Sequence, residues 1–187
     1  MENIKNTVEK HLEIIIEKKE KRKKYISYFK YVLSILGPAL VVLFLLNFVV
    51  GLSTIKGRSM DPGLHENDIV IFNRLDKSIK QFDVIVAKKN KEDVFIIKRA
   101  IGLPNDIVDI KDGFVYVNDV KLDESKYTLN GVTMAQDVTF PIQLKSNEYF
   151  VLGDNREISM DSRNSHTGLI LKDHVLGKVF LIIRSKN

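Results

Sequence analysis

The chain holds 187 residues, 44% of them apolar and 28% charged, with a formal net charge of +5 and no cysteine. Such a length suits one domain of ordinary size plus an appendage, and the missing cysteine excludes a disulfide framework and thiolate chemistry. The charge is lopsided: residues 1–30 carry nine Lys/Arg and five Glu, whereas residues 56–187 carry 20 basic and 19 acidic side chains. The positive excess marks one end instead of forming a nucleic-acid footprint, so no nucleic-acid partner is expected.

Residues 1–30 read as a basic, helical, cytosolic segment. Val8, Leu12, Ile15 and Ile16 recur at helical spacing within it, and the cluster EKKEKRKK follows them. Residues 31–55, YVLSILGPALVVLFLLNFVVGLSTI, contain no charge. As a helix they would measure about 37 Å, enough to cross a hydrocarbon core of ~30 Å. Gly37 and Pro38 are tolerated in membrane helices. A buried core helix would be shorter. A cleaved signal would have an apolar region of about 7–15 residues and then a small-x-small site, which FVVGLSTIK does not offer. An uncleaved signal anchor fits. The positive-inside rule puts its N-terminus in the cytoplasm and everything after Ile55 outside the cell membrane, with the lipid bilayer as the first expected partner.

Residues 56–187 change texture. NDIVIFNRL, FDVIVAK, DVFIIKRAIG, DIVDIKD, FVYVND, EYFVLGD and KVFLIIR are short runs rich in Val, Ile and Phe, separated by polar turns. Asp112-Gly113 is a strong hairpin signal and Asn118-Asp119 a weaker one. These features predict a mainly β ectodomain of antiparallel sheets, with residues 119–145 as a smaller excursion.

Three segments in this region carry chemistry: GRSMDPGL (57–64), IIKRAIGLPNDIV (96–108) and LGDNREISMDSRNSHTG (152–168). A hydrolase needs a nucleophile, a base and donors for an oxyanion. The four histidines, His11, His65, His166 and His174, form no HxxxH and no His/carboxylate cluster, so neither a metal nor another cofactor is expected. Lys98 interrupts an apolar run, and strand alternation puts Ile96, Lys98 and Ala100 on one face with Ile97 and Arg99 on the other. If that face meets a core, desolvation lowers the lysine pKa from ~10.4 towards neutrality, and a neutral lysine can take a serine proton. The alternative is a lysine snorkelling from an edge strand.

Taken together, the three segments resemble the bacterial type I signal peptidases, the membrane-bound Ser-Lys leader peptidases. "SMDPGL" is similar to that family's nucleophile box, "KRAIGLPNDIV" to its general-base box and "GDNREISMDSR" to its structural box, in order and behind a single anchor. The resemblance implies that Ser59 is the nucleophile, Lys98 the general base and Ser159 the serine that orients the lysine. It implies a supporting ion pair of Asp161 with Arg163, and a second of Asp154 with Arg99. The Ser59 backbone N–H would donate to the oxyanion. Some relatives add a serine hydroxyl where this chain has Gly57, so a backbone group around Gly57 is the candidate second donor. Gly63 stands where Thr is usual, which predicts a looser turn.

The reaction implied is removal of signal peptides from exported preproteins after small residues at −1 and −3. Ile55, Met60, Leu64, Ile96 and Ile97 are the candidate lining of the substrate pockets. A non-catalytic homologue acting as an assembly or chaperone factor for secreted or pilus proteins is the alternative. It would have no need to keep Ser59, Lys98, Ser159 and Asp161 together. Oligomeric state is not legible in the sequence.

Overall fold

The structure is a computed structural model that describes residues 2–89, 94–128 and 132–185. The chain divides into two compact units, Met1–Leu46 and Asn47–Asn187.

The first unit is one helix, α1 (Glu2–Phe44). Its polar half carries Glu17–Lys21 and Glu20–Lys23 pairs one turn apart. The stretch Ile14–Val49 is long and apolar enough to cross a membrane. Leu33, Ile35, Leu40, Val41 and Val42 are all exposed and fall on every side of the helix, so the apolar surface runs around it and calls for an apolar solvent. Residues 1–30 and the start of the apolar run are thus one continuous helix instead of two segments. Of the residues expected to form its amphipathic stripe, Leu12, Ile15 and Ile16 are exposed, while the side chain of Val8 lies outside the described residues.

The expected helical span of residues 31–55 is too long at its C-terminal end. α1 stops at Phe44, a π-helical turn covers Leu45–Val49, and Val50–Thr54 form strand β1. The reason is local. Val50, Ser53 and Thr54 suit an extended backbone, and β1 pairs antiparallel with β2 (Ile69–Asn73) from Val50↔Asn73 to Thr54↔Ile69. Absence of charge alone does not separate a lipid-facing helix from a strand that follows it.

The second unit continues with β3 (Val84–Lys88), β4 (Phe95–Gly102), β5 (Ile107–Lys111), β6 (Phe114–Val117) and β7 (Val120–Lys121). It ends with β8 (Ile142–Gln143), β9 (Glu148–Leu152), β10 (Ile170–Leu171) and β11 (Val175–Ile183). A seven-stranded sheet has the order β1-β2-β11-β3-β4-β9-β10, and a four-stranded sheet the order β7-β6-β5-β8. Every strand pairing among the described residues is antiparallel, so the protein is mainly β with one N-terminal helix, as the sequence implies. Asp112 and Gly113 take positive φ of 51° and 81° between β5 and β6, and Asn118 and Asp119 take 52° and 63° between β6 and β7. Both hairpin signals are therefore realised through paired left-handed residues. The excursion at 119–145 supplies β7 and β8 to the small sheet; its residues 129–131 lie outside the described residues.

Burial follows strand position. β3, central in the large sheet, buries Ile85, Val86 and Ala87 in succession, as a strand covered on both faces does. One core cluster gathers Ile85, Ala87, Tyr149, Val151, Ile170 and Val175, with Ile96 against it. A second gathers Ile55, Met60, Leu64, Val70, Phe72 and Val86, with Ile97 against it. Ile96 and Ile97 thus pack on different clusters, the alternation expected of β4.

Candidate active site

Ser59 sits in the turn that joins β1 to β2. Ile55 N–H donates to Asp68 O at 2.8 Å and Asn67 N–H donates back to Ile55 O at 3.0 Å, which closes the base of the turn. Met60 and Leu64, each 1% exposed, drive the following residues into the core. That anchorage is what holds Ser59 at a fixed height. Asp61 braces the turn from outside through Arg58 Nε and His65 Nδ1, both at 2.9 Å. Arg184, just past β11, reaches Asp68 Oδ2 at 2.6 Å and Gly63 O at 2.9 Å, so the last strand also secures the turn.

Lys98 lies in β4, between β3 and β9 in the strand order, and is 6% exposed. Although this part of β4 is bonded to β3 alone, the side chain is buried instead of reaching solvent, so the snorkelling alternative does not hold. Its Nζ is 2.6 Å from Ser59 Oγ, in hydrogen-bond contact. Burial lowers its pKa from 10.5 to about 8. The carboxylates of Asp161 and Asp154 oppose that shift and Arg163 adds to it. Desolvation dominates because no carboxylate among the described residues pairs directly with the amine.

Around this pair the loop after β9 builds a buried frame. Asp161 and Arg163, 0% and 1% exposed, pair through Nε–Oδ1 at 2.8 Å and Nη2–Oδ2 at 2.9 Å. Asp161 Oδ2 also accepts Gly153 N–H at 3.0 Å. Arg99 grips Asp154 with two hydrogen bonds, 2.8 and 2.6 Å, and donates to Phe82 O at 2.8 Å. Both ion pairs expected from the resemblance are formed. Ser159 is buried but its Oγ has no hydrogen-bond partner among the described residues, so the expected bond from it to the lysine is not made in this arrangement.

Gly57 also departs from expectation. Its N–H donates to Glu66 Oε1 at 3.2 Å, which commits that amide away from an oxyanion. The Ser59 N–H, in contrast, is bonded to no acceptor among the described residues. At Gly63 the turn is tight and not loose. A Cβ there would sit 2.1 Å from Asp154 Oδ2, so the missing side chain leaves room for the Arg99–Asp154 pair.

A cleft of about 580 Å³ opens beside Ser59 and Lys98, between Ser53–Lys56 and Val94–Lys98. Ile55, Met60, Ile96 and Ile97 line it as expected. Leu64 does not; it is a core residue. The two walls are strand edges. β1 pairs with β2 alone, and β9 pairs with β4 only at Arg99–Gly102, leaving Phe95–Lys98 bonded to β3 on one side.

Several residues of the site carry no signal by type alone. Gly153 is the tightest: a Cβ would lie 2.4 Å from Ser59 O and 2.2 Å from Ser159 Oγ, and the adjacent Asn155 N–H holds Ser59 O at 3.1 Å. Glu124 pairs with Arg156 at 2.6 Å, and Tyr127 lies under Arg99, guanidinium carbon 4.5 Å from the ring centre. Only the glycine's place inside GDNR hints at its role. Glu124 and Tyr127 read as ordinary residues of a polar excursion.

Comparison with known proteins bears on this arrangement. The family model described as signal peptidase, peptidase S26, matches residues 28–184. Signal peptidase I S of Bacillus subtilis (strain 168) is 35% identical over 170 residues, covering 86% of this chain and 91% of that protein. Signal peptidase IB of Staphylococcus aureus is 37% identical over 168 residues, covering 80% and 86%. A solved signal peptidase I from Enterococcus faecalis V583 is 28% identical and covers 55% of this chain and 97% of that one, with a TM-score of 0.44. The family match spans the apolar half of α1 and both sheets, so the chain belongs to the signal peptidase family, peptidase S26, and is a serine endopeptidase of the signal peptidase I kind.

Proposed function

We propose that the protein removes signal peptides from exported preproteins, with Ser59 as nucleophile and Lys98 as its general base. The observation that carries this reading is the buried Lys98 amine 2.6 Å from Ser59 Oγ, its pKa lowered to about 8 by burial. At the pH of a cell surface a usable fraction of such an amine is neutral. It takes the hydroxyl proton as Ser59 Oγ attacks the scissile carbonyl, and then gives that proton to the leaving amine. The acyl-serine ester is hydrolysed by water, which the same amine deprotonates, and Ser59 recovers its proton. The Ser59 amide donates to the oxyanion.

The substrate is an extended segment that adds a strand between the free edges of β1 and β4. Alternate side chains then point into the cleft lined by Ile55, Met60, Ile96 and Ile97, whose apolar side chains suit small residues such as Ala at −1 and −3. The apolar helix holds the enzyme in the cell membrane as a single pass with a cytoplasmic N-terminus. A preprotein's signal helix occupies the same bilayer, so enzyme and cleavage site share one plane and the search is shortened.

The test is cleavage of a preprotein bearing an Ala-x-Ala site by the full-length protein in lipid vesicles. Ser59→Ala is expected to leave the preprotein intact at every enzyme concentration that gives full processing with the wild type. Undiminished cleavage by Ser59→Ala would remove Ser59 as nucleophile.

A further inference from the structure

The excursion at 119–145 touches the catalytic frame from one side, and its contacts converge on the residues that brace Ser59, Ser159 and Asp161. Glu124 is 6% exposed and accepts Arg156 Nη1 at 2.9 Å and Nη2 at 2.6 Å. Thr133 Oγ1 accepts from the same Nη1. Arg156, also 6% exposed, lies in the loop after β9. Its Nε donates to Gly153 O at 2.9 Å, and its own carbonyl accepts Arg163 Nη2 at 2.8 Å. Arg156 therefore ties the glycine packed against Ser59 O, through its guanidinium, to the arginine paired with Asp161, through its backbone carbonyl.

The turn that carries Glu124 is closed by Tyr127 and Thr128 N–H groups, both donating to Glu124 O at 3.2 Å. That closure presents the Tyr127 ring to Arg99, the partner of Asp154. Further along, Gln136 Nε2 donates to Ser159 O at 3.1 Å, and Met134 O accepts Arg163 Nη1 at 3.1 Å.

We propose that Glu124 is a positioning residue for the peptidase reaction: through Arg156 it fixes the Gly153–Arg163 loop so that Asp161 and Ser159 stay packed beside the Ser59–Lys98 pair. The proposal rests on the reading of Ser59 and Lys98 given above. A charge buried in the excursion thus controls the geometry of a site built from the other sheet. If the loop loosens, water reaches the Lys98 amine, and the desolvation that lowers its pKa is relieved. The charged groups that also act on Lys98 are Asp161, Asp154 and Arg163, and all three belong to this loop.

The experiment compares wild type, Glu124→Gln and the double variant Glu124→Leu/Arg156→Met in kcat, KM, pH profile and melting temperature. Gln keeps the shape but leaves the Arg156 charge buried without a counter-ion. The double variant removes both charges, which restores stability where a buried pair is only structural. The expected result is a kcat about 100-fold below wild type in both variants, the size of effect that follows from misplacing a catalytic group by an ångström. KM should be little changed, and the rising limb of the pH profile should move upward. A double variant that melts like wild type and works like wild type would overturn the proposal, as would an unaltered kcat in Glu124→Gln. The wild-type profile separates the two readings. A Lys98-type limb in the wild type with no change in the variants defeats only the clamp. A wild type without that limb defeats the base assignment, while the kcat comparison still decides the clamp.

Discussion

Lys98→Met is expected to process preproteins at least about 100-fold more slowly than wild type and yet to melt at a higher temperature at neutral pH. The first half follows from the proposed role of the amine. A positioned general base contributes about 10²–10⁴-fold, and methionine fills the same unbranched space without a basic atom. The second half follows from burial. Folding lowers the pKa of this lysine from 10.5 to about 8. Below about pH 8 the folded protein therefore holds a poorly solvated ammonium, at a cost of about 3 kcal/mol from a shift of that size. The cost is present in full below the folded pKa, declines between about 8 and 10.5, and is gone above the unfolded value. Methionine escapes it, which is worth several degrees in Tm for a domain of this size. The gap between the two melting curves should therefore narrow as pH is raised towards 10. A Lys98→Met protein that melts below wild type at pH 7 would show that the lysine stabilises the fold, contrary to this account.

Gly153→Ala is the second change expected to have a large effect. The new Cβ would be driven to 2.4 Å from the Ser59 carbonyl oxygen, 2.2 Å from Ser159 Oγ and 2.5 Å from Ser159 Cβ. Two of these belong to Ser159 and the third is backbone of the nucleophile turn, so no flexible side-chain end can move out of the way. Overpacking of this kind costs about 1–3 kcal/mol in stability. Activity should suffer more, because the shift separates Ser59 from Lys98 directly: a fall of about 100-fold in kcat is expected, with folding retained by circular dichroism. Wild-type kcat in Gly153→Ala would mean that the nucleophile turn and the loop after β9 are not as closely coupled as their contacts indicate.

The sequence exposed these two positions unequally, for a physical reason. Lys98 stands out because a charge within VFII-K-RAIG breaks an apolar run, and strand alternation then forces a choice between an edge and a buried site. Gly153 makes its contribution by having no side chain, and that is visible only once Ser59 O and Ser159 Oγ are brought against it. The strands themselves were easy to read, since runs such as FDVIVAK and EYFVLGD match β3 and β9 closely. The end of the apolar run was not, because lipid and a sheet edge accept the same uncharged residues. Gly57 and Gly63 mark a further limit. Composition suggests slack in the turn, whereas one amide is tied to Glu66 and the other residue packs on Asp154. Glu124 and Tyr127 lie too far from any catalytic box for spacing to connect them with it; the hydrogen bonds of Glu124, Met134 and Gln136 to the loop after β9 are what bring the excursion there.

The central claim, that a buried lysine is the base for Ser59, meets its most direct test in the pH dependence of kcat/KM. The measurement uses the full-length protein in lipid vesicles with a peptide carrying an Ala-x-Ala cleavage site. The rate is expected to rise with pH through a single group of apparent pKa about 8, the value to which burial lowers Lys98. A rising limb centred near ~6.5, where an ordinary histidine titrates, or a profile that stays flat from pH 6 to about 10, would contradict it.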